Sequence, residues 1–188
     1  MKKITLARHG QSLYNAEKRL AGQADIALTD IGIDQAKKLN RYIKDKDMVF
    51  DHAFSSALQR AEQTARLALN GLNTKLRCTP LLNERCAGRL THALHADVAA
   101  SSDAHILNTI YHTPDLAFPE GECFLDVLNR AQEFVELYIT PLKDRCSIFI
   151  ASHAITTQGL LVALKQKTIE EAMALKIENA TPIMFEID

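Results

Sequence analysis

The chain has 188 residues, 47% of them hydrophobic, enough to bury one substantial core, and the usual size of domains predicts one domain rather than two. Its 22 Lys and Arg against 23 Asp and Glu leave a formal charge of −1. That balance excludes a global field drawing the protein to nucleic acid or to an anionic membrane, so any strong field must be local. The four cysteines, Cys78, Cys86, Cys123 and Cys146, show no C-x-x-C pair and no regular spacing, which argues against a zinc site or a disulfide scaffold and for buried reduced thiols.

At the start of the chain Lys2 and Lys3 precede only a short uncharged run before Arg8, too short for the apolar core of a signal peptide. No segment approaches the roughly 20 apolar residues that span a bilayer. The expectation is a soluble cytoplasmic protein.

Ile4 to Ala7 predicts a short buried strand, which Gly10 ends where the chain must turn, so Arg8-His9-Gly10 falls in a strand-to-helix turn. Thr29 is a good N-cap, and Ile31, Ile33, Ala36, Leu39 and Ile43 follow with helical spacing, predicting a helix from about Asp30 to Lys44. The β-rich stretch Val49 to Ser55 leads into Leu58, Ala61, Ala65 and Leu69, with Asn70-Gly71 as a stop: a second strand, turn and helix. Between Leu81 and Pro119 the pattern loosens, and the segment at about 86–120 is expected to be helical insertion or lid material. Phe124 to Tyr138 carries a helical apolar face closed by Pro141. Ser147 to Ser152 is an apolar strand-type run with His153 just past its end, and a helix is predicted from about Thr156 to Leu164. Thr181 to Ile187 reads as an edge strand. With no internal repeat or low-complexity linker, strands alternating with helices around a mainly parallel sheet are the simplest architecture, a single domain over 1–188.

In such sheets the ligand crevice lies beyond the carboxyl ends of the strands, and two predicted strands deliver a histidine there, His9 and His153. A third delivers Ser55-Ser56, with Arg60 one turn into the next helix. Arg8, Arg60 and two imidazoles at one edge would make a compact cationic pocket suited to a phosphate dianion, whose oxygens match guanidinium forks. Spacing alone leaves other readings open. Arg60 can be a surface charge paired with Glu62, and Glu84 a solvated loop carboxylate. His52, His92, His95, His105 and His112 connect to no site, and His92-x-x-His95 lacks a third ligand for a metal.

Several stretches, in order, carry a resemblance: "ARHGQSLYN" (7–15), "SSALQRAEQTA" (55–65), "LLNERCAG" (81–88), "PEGECFLDVLNRA" (119–131) and "ASHA" (151–154). Together they resemble the histidine phosphatase superfamily, in its phosphoglycerate-mutase-like branch. The resemblance implies a three-layer α/β/α sandwich, no metal and no cofactor, and a small phosphorylated substrate. It implies His9 as the nucleophile that becomes phosphohistidine, Glu84 as proton donor, and Arg8, Asn15, Arg60 and His153 as the phosphate clamp. Ser12, Gly22 and Gln23 fall on the substrate side. Ala154 stands where the family usually has glycine, Cys123 where it usually has serine, and the segment after Gly88 departs from the common pattern. The implied activity is a phosphomonoester phosphatase. The alternatives are a phosphoglycerate mutase, against which the middle insertion offers no paired arginines or lysine to grip a second anionic group, and a catalytically silent phospho-ligand-binding module. The sequence leaves the oligomeric state open.

Overall fold

The computed structural model describes residues 1–188. Five strands form one sheet in the order β3-β2-β4-β1-β5. Strand β1 (Lys2–Arg8) runs parallel to β4 (Ser147–Ser152) in a register that sets Arg8 beside Ser152. Strand β2 (His52–Ser56) runs parallel to β4 on the other side and to β3 (Leu76–Thr79), while β5 (Pro182–Ile187) closes the edge antiparallel to β1.

Alternation along the strands builds the two outer layers, because successive side chains point to opposite faces. On one face Ile4, Leu6, Phe54, Ile148 and Ile150 pack with Ala131 and Phe134 of α6 (Phe124–Phe134) and Leu160 and Leu161 of α7 (Ala154–Ala163). On the other, Ala7, Ala53, Phe149 and Ala151 meet Leu39 and Ile43 of α2 (Asp30–Asp45) and Ala65 and Ala68 of α3 (Gln59–Ala68). The α/β/α sandwich expected from the sequence is therefore present. Alanine dominates the second interface, which lets the helices sit close to the sheet; the first is filled by larger groups such as the edge-to-face pair Phe54 and Phe134, 5.3 Å apart.

Thr29 caps α2 as expected, its hydroxyl accepting from the Gly32 N–H at 3.0 Å. That helix start abuts the Gly10-Gln11 turn so closely that a Cβ on Gly32 would collide with the Gln11 carbonyl oxygen, and one on Gly10 with the Gly32 carbonyl. Glycine at both positions is thus what lets the turn after β1 lie against α2. Gly32→Ala raises helix propensity by about 1 kcal/mol but overpacks this contact, which costs about 1–3 kcal/mol. Because the Cβ would collide with a backbone oxygen rather than a flexible side chain, the cost falls in the upper part of that range, about 2–3 kcal/mol. The net loss of about 1–2 kcal/mol is expected to lower the melting temperature by roughly 2–8 °C in thermal denaturation, where propensity alone would raise it.

Other elements differ from the sequence expectation. Helix α1 (Leu13–Glu17), strand β3 and helix α8 (Ile169–Met173) carry too few residues to show a period. Strand β2 begins at His52 rather than Val49, and α6 continues through one wide turn, Val135–Ile139, before Pro141. Cys123 and Cys146 are buried, but Cys86 is only half-buried and Cys78 is exposed, correcting the expectation of buried thiols: Cys78 lies on the edge strand β3, whose face at that point is uncovered. The segment after Gly88 contains α4 (His95–Ala99) and α5 (Ala104–Thr109). With Leu20 and Phe118 these elements make a separate apolar cluster through Ala87, Leu90, Val98, Ile106 and Ile110. No helix is long and apolar enough to cross a membrane.

Candidate active site

The parallel register of β1 and β4 brings the residues that follow them side by side. The His9 N–H donates to the Ser152 carbonyl at 2.9 Å, and the His9 and His153 rings lie edge to face with centroids 5.0 Å apart. Both are buried. Arg8 and Arg60 join His9 in the wall of a cavity of about 250 Å³ at the carboxyl edge of the sheet, together with Asn15, Gly22 and Glu84. Three of the four residues expected at the strand ends thus line one cavity, while His153, fully buried, packs against the His9 ring and is not part of the lining. Arg60 is not a surface charge: it is 1% exposed, and Glu62 pairs instead with Arg66 at 2.7 Å.

Each member is fixed by neighbours. His9 Nδ1 lies 2.6 Å from the Gly10 carbonyl oxygen, which makes Nδ1–H the donor and leaves Nε2 as a bare lone pair. Burial first, then the charges of Arg60 and Arg8, hold the imidazole well below its usual range, against the smaller opposing effect of the Gly10 contact. His9 is therefore neutral at neutral pH, the state a nitrogen nucleophile requires.

The backbone around His9 is fastened from both sides. Asn179 Nδ2 donates to the His9 carbonyl at 2.6 Å, and the Gly10 N–H donates to Thr64 Oγ1 at 3.0 Å. Arg60 is anchored by two carbonyls, Ala24 at 2.7 Å and Gly22 at 2.8 Å, and Arg8 by the Ile177 carbonyl at 2.8 Å. The Nε atoms of both arginines are buried without a partner, so each guanidinium keeps donating capacity.

Glu84 accepts from its neighbour's N–H, that of Arg85, at 2.9 Å and lies 3.4 Å from both the Ile155 N–H and the Thr156 hydroxyl, contacts that orient it from the start of α7. Asn15 lines the cavity while its Oδ1 accepts from the Ser12 N–H at 3.1 Å, leaving its amide N–H groups to donate. Ser12 is fully buried and accepts from the Asn15 N–H at 3.2 Å; it caps α1 and does not line the cavity. Gln23 also lies off the lining, donating to the Glu84 carbonyl at 3.0 Å, whereas Gly22 lines it and holds Arg60.

The rest of the wall was not read from the sequence. Arg19, Leu20, Arg85, Ala87, His95, Tyr111 and Phe118 all line the cavity. Arg85 is buried, its guanidinium 4.9 Å from the Phe118 ring centroid and 5.4 Å from that of Tyr111, one N–H reaching the Ile110 carbonyl at 3.3 Å. The middle insertion does lack cations at the cavity, since its one arginine, Arg89, is tied to Asp103 at 2.8 Å. Two arginines from outside it nevertheless stand in the wall. The "LNER" stretch placed Arg85 beside Glu84, a signal that could have found it; Arg19 and His95 reach the wall only through tertiary packing. No group of three or more His, Cys, Asp or Glu side chains converges as a metal site.

The family described as "Histidine phosphatase superfamily (branch 1)" matches residues 4–188. The chain belongs to that superfamily. A 2,3-bisphosphoglycerate-dependent phosphoglycerate mutase of Parvibaculum lavamentivorans is 33% identical over 98% of this chain and 90% of its own length. Among solved structures, the alpha-ribazole phosphatase of Shigella flexneri is 27% identical, with a TM-score of 0.86 over 99% of this chain and 91% of the other. A mycobacterial glucosyl-3-phosphoglycerate phosphatase, 23% identical over 98% of this chain and 92% of the other, shares the fold with a TM-score of 0.88.

Proposed function

We propose that this superfamily member is a phosphomonoester phosphatase acting on a small phosphorylated metabolite through a phosphohistidine on His9. The observation that carries the reading is the state of His9: buried, neutral, its Nδ1 committed to the Gly10 carbonyl, and its ring under the charges of the buried Arg60 and the half-buried Arg8 with which it lines the cavity. A neutral imidazole beside fixed positive charge is a nucleophile poised for phosphorus. As the phosphoryl group passes through its in-line transition state, the charge on its equatorial oxygens is met by the fixed charges of Arg8 and Arg60, joined by His153 when its ring donates. Glu84 gives its proton to the departing alkoxide, then takes one from the water that hydrolyses phosphohistidine. Two displacements give overall retention at phosphorus.

Phosphoglycerate mutase is the second reading, favoured by the 33% identical relative and by Arg19 and Arg85 in the wall. A mutase must hold the bisphosphorylated intermediate, formed when phosphohistidine passes its phosphoryl group to the substrate, until one phosphoryl group returns to the histidine, and cations around the substrate's other anionic groups do the holding. Here Arg85 is braced against aromatic rings and a carbonyl, Arg19 is paired with Glu17 at 2.7 Å, and Arg89 with Asp103, which supports release and hydrolysis. Retention of His9, Arg8 and Arg60 in one cavity wall, with His153 packed against His9, speaks against a silent binding module.

Assays across a panel of phosphate monoesters, with and without a bisphosphoglycerate primer, test the reading. Phosphate release without primer is expected, and it should persist after exhaustive chelation, because arginines supply the positive charge at the phosphate. Activity that requires primer and isomerises phosphoglycerate would establish the mutase. Loss with EDTA and recovery with a divalent ion would overturn the proposed chemistry.

A further inference from the structure

His153 has one ring nitrogen committed and one without a partner. Its Nε2 lies 2.8 Å from Ser56 Oγ, while Nδ1 is buried and bonded to nothing. The neighbours of Ser56 decide which partner holds the proton. Asn83 Oδ1 accepts from the Ala57 backbone N–H at 3.1 Å, which fixes that side-chain atom as the oxygen rather than the amide nitrogen. Ser56 Oγ lies 2.8 Å from the same oxygen and must give its single hydrogen there. The Ser56 oxygen also accepts from the Leu58 N–H at 3.1 Å. With its hydrogen spent, Ser56 can only accept from His153, so the ring carries its proton on Nε2 and presents a lone pair at Nδ1.

A lone pair repels a phosphate dianion, whose oxygens are acceptors only. Resting on the reading of this pocket as a phosphate site, we infer that Ser56 and Asn83 are positioning residues that lock His153 as the Nε2–H tautomer, so that the site takes up each phosphoryl dianion together with one proton, shared between Nδ1 and a phosphoryl oxygen. The balance is simple. A monoanionic ester brings that proton with it; a dianionic one, which prevails above the second phosphate pKa of about 6, draws it from solvent.

The surroundings agree with a ring that is neutral until an anion arrives. Arg8 and His9 face it from β1 and the turn after it, Arg60 from α3 and Arg130 from α6, and Glu84 approaches the start of α7. Burial first, then Arg60, His9 and Arg8, hold His153 well below its usual range. A bound dianion offsets the guanidinium charges and gives Nδ1 its missing partner.

Two measurements test this without relying on turnover. Long-range 1H–15N spectra of the free protein should show His153 protonated at Nε2. Asn83→Ala releases the Ser56 hydrogen to His153 and should switch the ring to Nδ1–H; Ser56→Ala should remove the bias, and Asn83→Asp, which keeps the acceptor, should retain Nε2–H. Calorimetry then counts protons taken up on binding tungstate, a dianion at pH 7.5, in buffers of different ionisation heat. It is done in a His9→Ala, Glu84→Gln background so that neither of those groups contributes. Roughly one proton per tungstate is expected there, falling to about zero with Asn83→Ala added. An Nδ1–H ring in the free wild-type protein, or tungstate binding with no proton uptake, overturns the inference while leaving the phosphate site standing. Failure of the wild type to bind tungstate at all overturns the phosphate reading, and the ring spectra still decide the tautomer.

Discussion

Replacing His9 with alanine is expected to lower turnover of any phosphate monoester by about a thousandfold or more, with the fold retained. The size follows from what the ring does. Removing a nucleophile leaves only the stabilisation that Arg8, Arg60 and His153 offer to attack by water, and water at that position has neither the alignment nor the lone-pair basicity of His9 Nε2. A thousandfold corresponds to about 4 kcal/mol of barrier. The fold should survive because the strand ends do not depend on the imidazole: the His9 N–H to Ser152 and the Asn179 bond to the His9 carbonyl are backbone contacts that alanine keeps. Far-UV circular dichroism and the melting temperature check that part. Labelled substrate, quenched under alkaline conditions in which phosphohistidine is stable, should yield phosphoprotein from the wild type and none from His9→Ala. Label that persists in the variant would assign the nucleophile elsewhere.

The parts of this site that are legible in the sequence are those fixed by strand ends. An apolar run that stops at Arg8-His9-Gly10, another that stops at His153, and a third that stops at Ser55-Ser56 must bring their last residues to one edge if the strands are parallel, and they do. Arg60 follows four residues after Ser56, in the first turn of α3 rather than one turn into it. What stays hidden depends on contacts between distant segments. Ser12 reads as a pocket residue because it follows His9 closely, but the short helix it starts turns its hydroxyl to Asn15. His95 reads as unattached because nothing in the residues around it reveals that Leu94 bridges to Arg19 and so brings α4 to the cavity. Strand β3, four residues at an edge with Arg77 and Cys78 exposed, has no buried face to impose an alternation. Asn179, which ties the His9 backbone, precedes β5 by a few residues and gives no local sign of its role.

Glu84→Gln should slow hydrolysis of esters of aliphatic alcohols by about a hundred- to ten-thousandfold, since an alkoxide departs poorly without a proton and a positioned acid contributes on that scale. The substituted amide would keep, through its one oxygen, the contacts with the Arg85 N–H and the Thr156 hydroxyl, and would give up only the 3.4 Å contact of the other oxygen with the Ile155 N–H, so the loop should stay in place and the loss should be chemical. A nitrophenyl ester separates that chemistry from mere positioning. Its leaving group is stable as an anion, so the variant should still phosphorylate His9 in a rapid burst, followed by slow hydrolysis, because the same carboxylate activates the water of the second step. Glu122 is the nearest competitor for the role in sequence terms, but it is held by two nitrogens of the Arg130 guanidinium, at 2.9 and 3.0 Å, and by the Cys86 N–H at 2.7 Å. Its oxygens are thus spent as acceptors inside a structural network, and it stands outside the cavity lining. If burst rates on alkyl and nitrophenyl esters fell equally in Glu84→Gln, Glu84 would be orienting the phosphate, and the proton would have to come from another group in the cavity wall such as His95 or Tyr111, which the same pair of substrates can then test by substitution.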